Sequence, residues 1–192
     1  MTHGNSNQQD PRVLRSRPAV LAAALDELAE RGHGGFTIDG VARRARVARS
    51  TVYRLWSDKH QLVAEAIEAL NTQPRRRDLA TETPRERIDA LLEHLVAALQ
   101  SSKVSSCLPA LIDGAERDQT MRALLHGYSS GRRSALVAAL AEGREDGSIE
   151  SHVDPEYAAD ALAGAVFYRR LMTDAPLRVE QVNPLLRSVL GP

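Results

Sequence analysis

The sequence has 192 residues, and its 25 basic and 25 acidic side chains leave no formal net charge, so charge alone identifies no partner. Aromatic residues make up only 4%. The abundant Ala, Leu and Arg favour helix, and period-two runs of β-branched residues are absent, which excludes a substantial sheet. The single cysteine excludes an intrachain disulfide. No apolar run approaches the ~20 residues that cross a membrane. We expect an all-α, cytoplasmic protein with no membrane partner.

The charges are unevenly distributed along the chain. Residues 1–77 contain 13 Lys and Arg against 8 Asp and Glu, whereas the remainder contains 12 against 17. A basic first part on an acidic body is typical of a protein whose first part meets phosphate. Residues 1–10 are polar and predict a disordered leader, and the polar segment 72–83 predicts a linker. The domains are therefore expected at 11–71 and 84–192.

The N-terminal domain shows four stretches with helical apolar spacing, at 17–31, 38–46, 49–55 and 58–70. Pro18 suits the first turn of the first helix, which Gly32 ends. Thr37 and Ser57 are expected to cap the second and fourth helices. Two short helices joined by a tight turn are the arrangement that places one helix in a DNA major groove. We interpret this part as a three-helix helix-turn-helix domain.

The C-terminal domain is predicted to be a helical bundle, with helices at 84–100, 107–116, 118–142, 155–172 and 183–190. Gly143 is expected to end the third of these. Asp154, followed by Pro155 at the first helical position, is expected to cap the fourth. Asn183 is expected to cap the last helix, with Pro184 as its first residue.

The second short helix begins with side chains that suit base recognition. Arg49 can reach guanine through two parallel hydrogen bonds, and Ser50 and Thr51 can bond either bases or phosphates. Tyr53, Arg54 and Lys59 lie close enough in sequence to bind phosphate oxygens, which fix the register of a protein on DNA. Double-stranded DNA is therefore the predicted partner.

The stretch from 18 to 70 resembles the DNA-binding domain of the TetR family, whose spaced motifs it matches in order. Those motifs stand here as Ala29-Glu30-Arg31-Gly32, Thr37-Ile38-Asp39-Gly40-Val41-Ala42, Arg46-Val47-Ala48-Arg49-Ser50-Thr51-Val52-Tyr53-Arg54-Leu55-Trp56, and Lys59. Arg46 replaces the usual turn glycine, at an expected cost of about 1 kcal/mol if its φ is positive. Trp56 replaces the usual phenylalanine, and we expect it in the core.

The resemblance implies roles for individual residues. Thr37, Tyr53 and Lys59 would touch phosphates, and Arg49, Ser50 and Thr51 would face the groove. Arg43, Arg44 and Arg46 would add contacts to the DNA backbone, and Arg12, Arg15 and Arg17 would form a basic arm. Two alternatives stay open: Tyr53 could be a core ring, and Arg43 and Arg44 could be a solvated face.

For the C-terminal domain the resemblance implies a homodimer that binds a palindromic operator, because one short helix reads too few base pairs alone. The expected dimer face comprises Ala158, Ala161, Leu162, Ala165, Leu185 and Val189. A small-molecule ligand would sit among the helices of 84–142. Its candidate lining comprises His94, Leu95, Leu111, Leu125, His126 and Phe167. The alternative for this second set is a plain packed core.

Enzymatic function has little support in the sequence. The six histidines are scattered, and neither a phosphate-binding glycine loop nor a Gly-x-Ser-x-Gly elbow is present. We expect no catalytic residue, metal or cofactor, and we expect Cys107 to be an inert buried thiol rather than a redox sensor. The predicted function is a sequence-specific repressor released by a small molecule. The alternatives are an architectural DNA binder, a ligand-independent family member, and a helical enzyme with a vestigial helix-turn-helix.

Overall fold

The computed structural model describes residues 11–70, 83–101 and 103–191. In these ranges the regular structure is entirely helical, which confirms the predicted all-α class. The predicted leader 1–10 and all of the predicted linker 72–83 except Thr83 lie outside the described residues. The helices are α1 (Pro11–Gly35), α2 (Ile38–Ala45), α3 (Arg49–Leu55), α4 (Lys59–Leu70), α5 (Pro84–Ser101), α6 (Lys103–Arg117), α7 (Gln119–Glu145), α8 (Pro155–Met172), a 3-10 turn (Val179–Gln181) and α9 (Val182–Leu190).

The described chain divides into two compact units that do not follow chain order. The N-terminal unit contains the residues up to Leu70 together with Cys107–Met121, and the C-terminal unit contains the rest. The part of α6 from Cys107 onward therefore belongs to the same compact unit as the helix-turn-helix. Apolar spacing cannot reveal such a grouping, because it reports which face of a helix is buried and not which partner buries it.

The N-terminal unit is built on α1, which packs against α2, α3 and α4. Its core includes Leu28, Val52 and Trp56, each at most 1% exposed. The predicted core position of Trp56 is thus confirmed. The Trp56 indole Nε1 donates a hydrogen bond of 2.8 Å to Glu65 on α4. Glu65 in turn accepts two hydrogen bonds of 2.6 Å from Arg17 on α1.

Two predicted helix starts in this unit are wrong. Helix α1 begins at Pro11, so Pro18 lies inside the helix rather than in its first turn. Helix α4 begins at Lys59, and its cap is Asp58 instead of Ser57. Asp58 accepts hydrogen bonds from the backbone N–H groups of His60 at 2.8 Å and Gln61 at 2.9 Å. Asp58 directly precedes the first turn, so its carboxylate accepts the hydrogen bonds that were predicted for the Ser57 hydroxyl. The predicted end of α1 is confirmed by Gly32, whose φ of 68° leaves the helical path.

In the C-terminal unit, α5 packs against α8 and α9. The core includes Ile88, Leu140 and Leu186, each fully buried. Asp154 accepts hydrogen bonds from the N–H groups of Glu156 and Tyr157, which confirms the predicted cap of α8. Among the described residues, no single helix is both long and apolar enough to cross a membrane; only the bent pair 84–100 with 105–117 reaches that size and composition jointly.

In this unit, the predicted end of α7 and the predicted start of α9 are wrong. Helix α7 passes through Gly143 and ends at Glu145, and the left-handed residue is Gly147, with φ 81°. Gly143 serves packing instead, since a Cβ there would lie 2.8 Å from the Ile149 side chain. Helix α9 follows a 3-10 turn and begins at Val182, so Asn183 lies inside it rather than capping it.

Two histidines that are far apart in sequence meet one carboxylate in the N-terminal unit. His60 Nε2 lies 2.7 Å from Asp118 Oδ2, and His33 Nε2 lies 3.8 Å from the same oxygen. Gly114 leaves the room for this arrangement, since a Cβ there would lie 2.9 Å from the His33 ring. Asp118 also caps α7 by accepting from the N–H of Thr120. The His60 hydrogen bond is the main cause that lowers the pKa of Asp118 to about 2 from its ordinary 3.8.

This carboxylate predicts a pH-dependent contribution to stability. A folded-state pKa depressed from 3.8 to about 2 stabilises the fold above the ordinary pKa and loses that effect as pH falls through the folded value. Asp118→Asn keeps a residue able to cap α7 and removes the charge. We expect a lower free energy of unfolding in urea at pH 7, and a deficit relative to wild type that shrinks at the acid end.

Asp113→Asn is the matched control for this measurement. Asp113 pairs with Arg117 at the surface, where an ion pair contributes little. Equal losses in the two variants, or a deficit for Asp118→Asn that does not change with pH, would contradict the assigned role of the carboxylate.

Candidate nucleic-acid interface

Helices α2 and α3 are held by their apolar sides, which leaves their polar sides at the surface. Thr37 has an extended backbone, and its Oγ1 accepts a hydrogen bond of 3.0 Å from the N–H of Gly40. The predicted cap of α2 is therefore confirmed. Val41 on α2 and Val52 on α3 are fully buried. Because α3 has only seven residues, burial of Val52 on one side fixes which of its residues face solvent.

The turn between the two helices has the backbone that the sequence predicts. Arg46 adopts φ 56° and ψ 41°, the left-handed conformation that the missing glycine would otherwise take. Its N–H bonds the carbonyl of Arg43 at 3.2 Å, and the N–H of Val47 bonds that of Ala42 at 3.0 Å. These bonds close the end of α2 and leave the Arg46 side chain exposed.

The outer side of α3 carries four polar or charged residues at its surface: Arg49, Ser50, Tyr53 and Arg54. The Tyr53 ring is 44% exposed, so the alternative of a core ring is wrong. Thr51 is half-buried, as is Lys59 at the start of α4. The predicted groove-facing set thus shares one surface, with Thr51 at its edge.

Arg49 is held by two neighbours. Its Nε and Nη1 lie 2.9 and 3.2 Å from the carboxylate oxygens of Asp39 on α2. Its Nη2 donates to the Tyr53 hydroxyl at 3.2 Å, and the guanidinium lies 5.2 Å from the centre of the Tyr53 ring. The hydrogen bond to Tyr53 and the charge of Asp39 raise the pKa of Arg49. The guanidinium therefore occupies a defined place at the start of α3.

Arg44 has a structural role that the sequence does not reveal. It donates to Glu30 at 2.6 Å and to Glu27 at 3.2 Å, and both carboxylates lie on α1. Glu27 is only 4% exposed, so its charge needs this partner. These bonds raise the pKa of Arg44 and fasten α2 to α1. Arg44 is thus held by two carboxylates, which makes it a weaker candidate for DNA contact than the exposed Arg43.

The predicted dimer residues divide into two groups. Ala158 and Leu162 are buried within the single chain, at 6% and 0% exposure, so a face on α8 cannot depend on them. Ala161 is exposed, and Ala165, Leu185 and Val189 are half-buried. The outer side of α8 also carries residues that sequence reasoning missed, although their helical spacing could have shown them. They are Tyr157, Gly164, Tyr168 and Met172.

The predicted ligand residues are divided between the two units of the structure. Leu111 belongs to the N-terminal unit, whereas the others belong to the C-terminal unit, where His126 is exposed and the rest are half-buried. Burial, with a contribution from Arg132, lowers the pKa of His94.

The C-terminal unit also contains an open cavity of about 590 Å³, and none of the predicted ligand residues line it. Its lining comprises Gln100, Arg169, Asp174, Ala175, Pro176, Arg178 and Gln181. Side chains hold its irregular segment in place: Gln100 donates to the Leu177 carbonyl and Arg169 to the Ala175 carbonyl.

Two observations concern metal binding and the single cysteine. Within residues 11–70, 83–101 and 103–191, no group of three or more His, Cys, Asp or Glu is arranged to hold a metal ion. Cys107 is fully buried, and its Sγ lies 3.3 Å from the Leu25 carbonyl oxygen. This burial favours the inert thiol over the redox sensor.

Both parts of the chain match known protein families. Residues 20–66 match the family described as bacterial regulatory proteins of the tetR family, and residues 78–189 match the tetracyclin repressor-like C-terminal domain. The chain is 26% identical over 186 residues to the HTH-type transcriptional regulator YdeS of Bacillus subtilis, covering 95% of this chain and 92% of that protein. It is 28% identical over 174 residues to the DNA-binding transcriptional repressor TetR of Mycobacteroides abscessus, covering 90% of each.

Solved structures share the fold. Salmonella enterica GusR superposes with a TM-score of 0.71 at 20% identity, covering 97% of this chain and all of that one. AibR, solved with isovaleryl coenzyme A and operator DNA, superposes with a TM-score of 0.69 at 22% identity, covering 92% of this chain and 99% of that one.

The left-handed turn residue predicts opposite effects on stability and on DNA binding. Arg46→Gly relieves a strained backbone, so we expect the free energy of unfolding to rise by up to about 1 kcal/mol. The same change removes a cation from the exposed surface, so DNA affinity should fall at low salt. Thermal unfolding and fluorescence anisotropy measure the two effects. Arg46→Lys keeps both the charge and the strained backbone, so it should match wild type in both assays. If Arg46→Gly is less stable than wild type, the backbone at Arg46 is not strained.

Proposed function

The chain belongs to the TetR family of bacterial DNA-binding transcriptional regulators, and we propose that it is a homodimeric repressor that reads a palindromic operator through α3. The observation that carries this proposal is the two-sided character of α3. Val52 and the following Trp56 are buried, while Arg49, Ser50 and Tyr53 lie together at the surface. A helix anchored by its apolar side and presenting hydrogen-bonding groups on the other suits insertion into a major groove.

We assign base contacts to Arg49, Ser50 and Thr51 at the N-terminal end of α3. An arginine can bond guanine O6 and N7 together, and hydroxyl groups can bond either a base or a phosphate. The half-buried position of Thr51 favours its methyl group as the contacting part, because methyl contacts suit thymine.

We assign phosphate contacts to residues of α2, α3 and the segments next to them in the chain: Thr37, Arg43, Arg46, Tyr53, Arg54 and Lys59. Except for half-buried Lys59, all of them are exposed, and the cations come from α2, the turn, α3 and α4. Cations spread over several elements can contact phosphates on both sides of a groove. Such contacts set orientation and affinity without setting sequence preference.

We further propose that two copies associate through the outer side of α8. Tyr157 and Tyr168 are 78% and 61% exposed, and Met172 is 73% exposed. Between them Ala161 and Gly164 have small or absent side chains, which allow a second helix to approach closely. A large apolar side chain at the surface of a helix is well explained by association. The half-buried Leu185 and Val189 on α9 would border this face.

The proposal of a ligand-released repressor rests on relatives. The Mycobacteroides abscessus relative is named a repressor, and AibR was solved with both a coenzyme A thioester and operator DNA. We propose that the C-terminal unit of this chain takes a small molecule that disfavours the operator-binding form, and that the protein acts by binding rather than catalysis in the cytoplasm. The predicted pocket residues are untested and remain a prediction: His94, Leu95, Leu111, Leu125, His126 and Phe167.

Selection of bound fragments from a random DNA pool tests the proposed function. A regulator of this kind should enrich one sequence with two-fold symmetry and half-sites about one helical turn apart. An architectural binder would show a similar salt dependence and no enriched sequence. A ligand-independent family member would enrich an operator that no small molecule releases. Absence of binding to any fragment at low salt would reject the proposal altogether.

Arg49→Ala should weaken operator binding by about 1–3 kcal/mol and relax base preference at one position in each half-site. Lys59→Ala is the matched comparison, because loss of a phosphate contact should weaken binding about equally on all sequences and flatten the salt dependence. Titration by fluorescence anisotropy at several salt concentrations separates the two. If base preference is unchanged in Arg49→Ala, this arginine is not a reader.

Ala161→Glu places a charge in the middle of the proposed dimer face without touching the core of the single chain. We expect monomers by light scattering and a large loss of operator affinity, since each half-site alone binds weakly. Ala138→Glu, at an exposed position on α7, is the control and should remain dimeric. A stable Ala161→Glu dimer would place the interface elsewhere.

A further inference from the structure

We propose that Asp39 determines sequence discrimination by holding Arg49 away from non-operator phosphates. This inference rests on the proposed function and names a positioning residue that the sequence did not single out. Asp39 lies in the first turn of α2, and Arg49 is the first residue of α3. Their side chains meet across the turn, at the end of α3 that would enter the groove.

The contacts of Asp39 point to this single role. Both carboxylate oxygens lie against the Arg49 guanidinium, at 2.9 and 3.2 Å. In the described part of the chain, no other hydrogen bond or ion pair is found for this carboxylate. The cap of α2 is provided by Thr37, so Asp39 is not needed for that purpose. It also differs from Asp58, whose carboxylate caps α4.

The position of Asp39 is unfavourable for simple DNA affinity. Its side chain is 60% exposed on a surface whose other charged members are mostly arginines. A negative charge near phosphates lowers affinity for every sequence, because like charges repel. A residue with this cost and no capping role is explained if it improves the ratio of specific to non-specific binding.

Competition for Arg49 provides the mechanism. On a non-operator sequence, the guanidinium would have to leave both Asp39 and the Tyr53 hydroxyl for one phosphate, and the exchange gains little. On the operator, guanine offers two acceptors in a fixed geometry that suits an arginine already oriented by its neighbours. The pair therefore penalises non-operator DNA more than operator DNA, which is the requirement for discrimination.

A double-mutant cycle tests whether Asp39 acts through Arg49. The four proteins are wild type, Asp39→Asn, Arg49→Ala and the double variant, each titrated against the selected operator and a scrambled duplex. We expect Asp39→Asn to bind scrambled DNA on the order of fivefold more tightly, as an exposed ion pair allows, and operator DNA with a smaller gain. Its salt dependence on scrambled DNA should steepen by about one released counterion. In the Arg49→Ala background, the same change should alter the ratio of operator to scrambled affinity little.

Two further variants separate this effect from a general change of charge. Glu68→Gln neutralises an exposed carboxylate on α4 in the same unit and should leave the affinity ratio unchanged. Asp39→Glu keeps the charge and should recover part of the wild-type ratio. Thermal unfolding of each variant checks the alternative that Asp39 only stabilises the start of α2 through the helix dipole.

The outcomes are distinguishable. An unchanged affinity ratio in Asp39→Asn, or an equal change in the presence and absence of Arg49, overturns the inference while operator binding by wild type upholds the proposed function. A ratio that falls only as far as in Glu68→Gln also overturns it. Failure of wild type to prefer any sequence removes the proposed function and the inference together.

Discussion

The burial of Val52 and Trp56 is the constraint on which the exposed polar side of α3 depends. A helix of seven residues is not stable alone, because nucleation costs more than so few hydrogen bonds return. Helix α3 exists because these two side chains are removed from water while the helix packs against α2 and α1. The Trp56 indole is further held by Glu65, which Arg17 binds from α1. The same burial that makes α3 helical also decides which residues face outward.

Acidic side chains place the neighbouring arginines in different environments. Arg44 is bound to the buried Glu27 and to Glu30, and it serves the contact between α1 and α2. Arg49 is bound to the exposed Asp39, at a place where the pair can open. Arg46 extends from a strained turn with no such partner among the described residues. Three neighbouring guanidinium groups with one chemistry thus have three different environments, set by the burial and position of the acidic side chains around them.

The C-terminal unit shows a similar division between inward and outward residues. Leu162 and Ala158 are buried in their own chain, where α8 packs against α5 and α9, whereas Tyr157, Tyr168 and Met172 on the same helix are exposed. An apolar pattern on both sides of one helix is what a protein needs when it must fold and then associate. The unit also contains an open cavity bordered by Arg169 and Arg178, apart from the residues that the sequence suggested for a ligand.

Features that depend on neighbouring residues along the chain could be predicted from the sequence. The all-α class, the caps Thr37 and Asp154, the end of α1 at Gly32 and the left-handed backbone at Arg46 are of this kind. Tertiary structure alone decided the side of α8 on which Leu162 lies, the partner of Arg44, the assignment of 107–121 to the N-terminal unit and the meeting of His33, His60 and Asp118. Caps and turns are formed by short-range hydrogen bonds among a few neighbouring residues. Partners from distant parts of the chain meet only after the core has packed, and no local pattern records which helix will supply them.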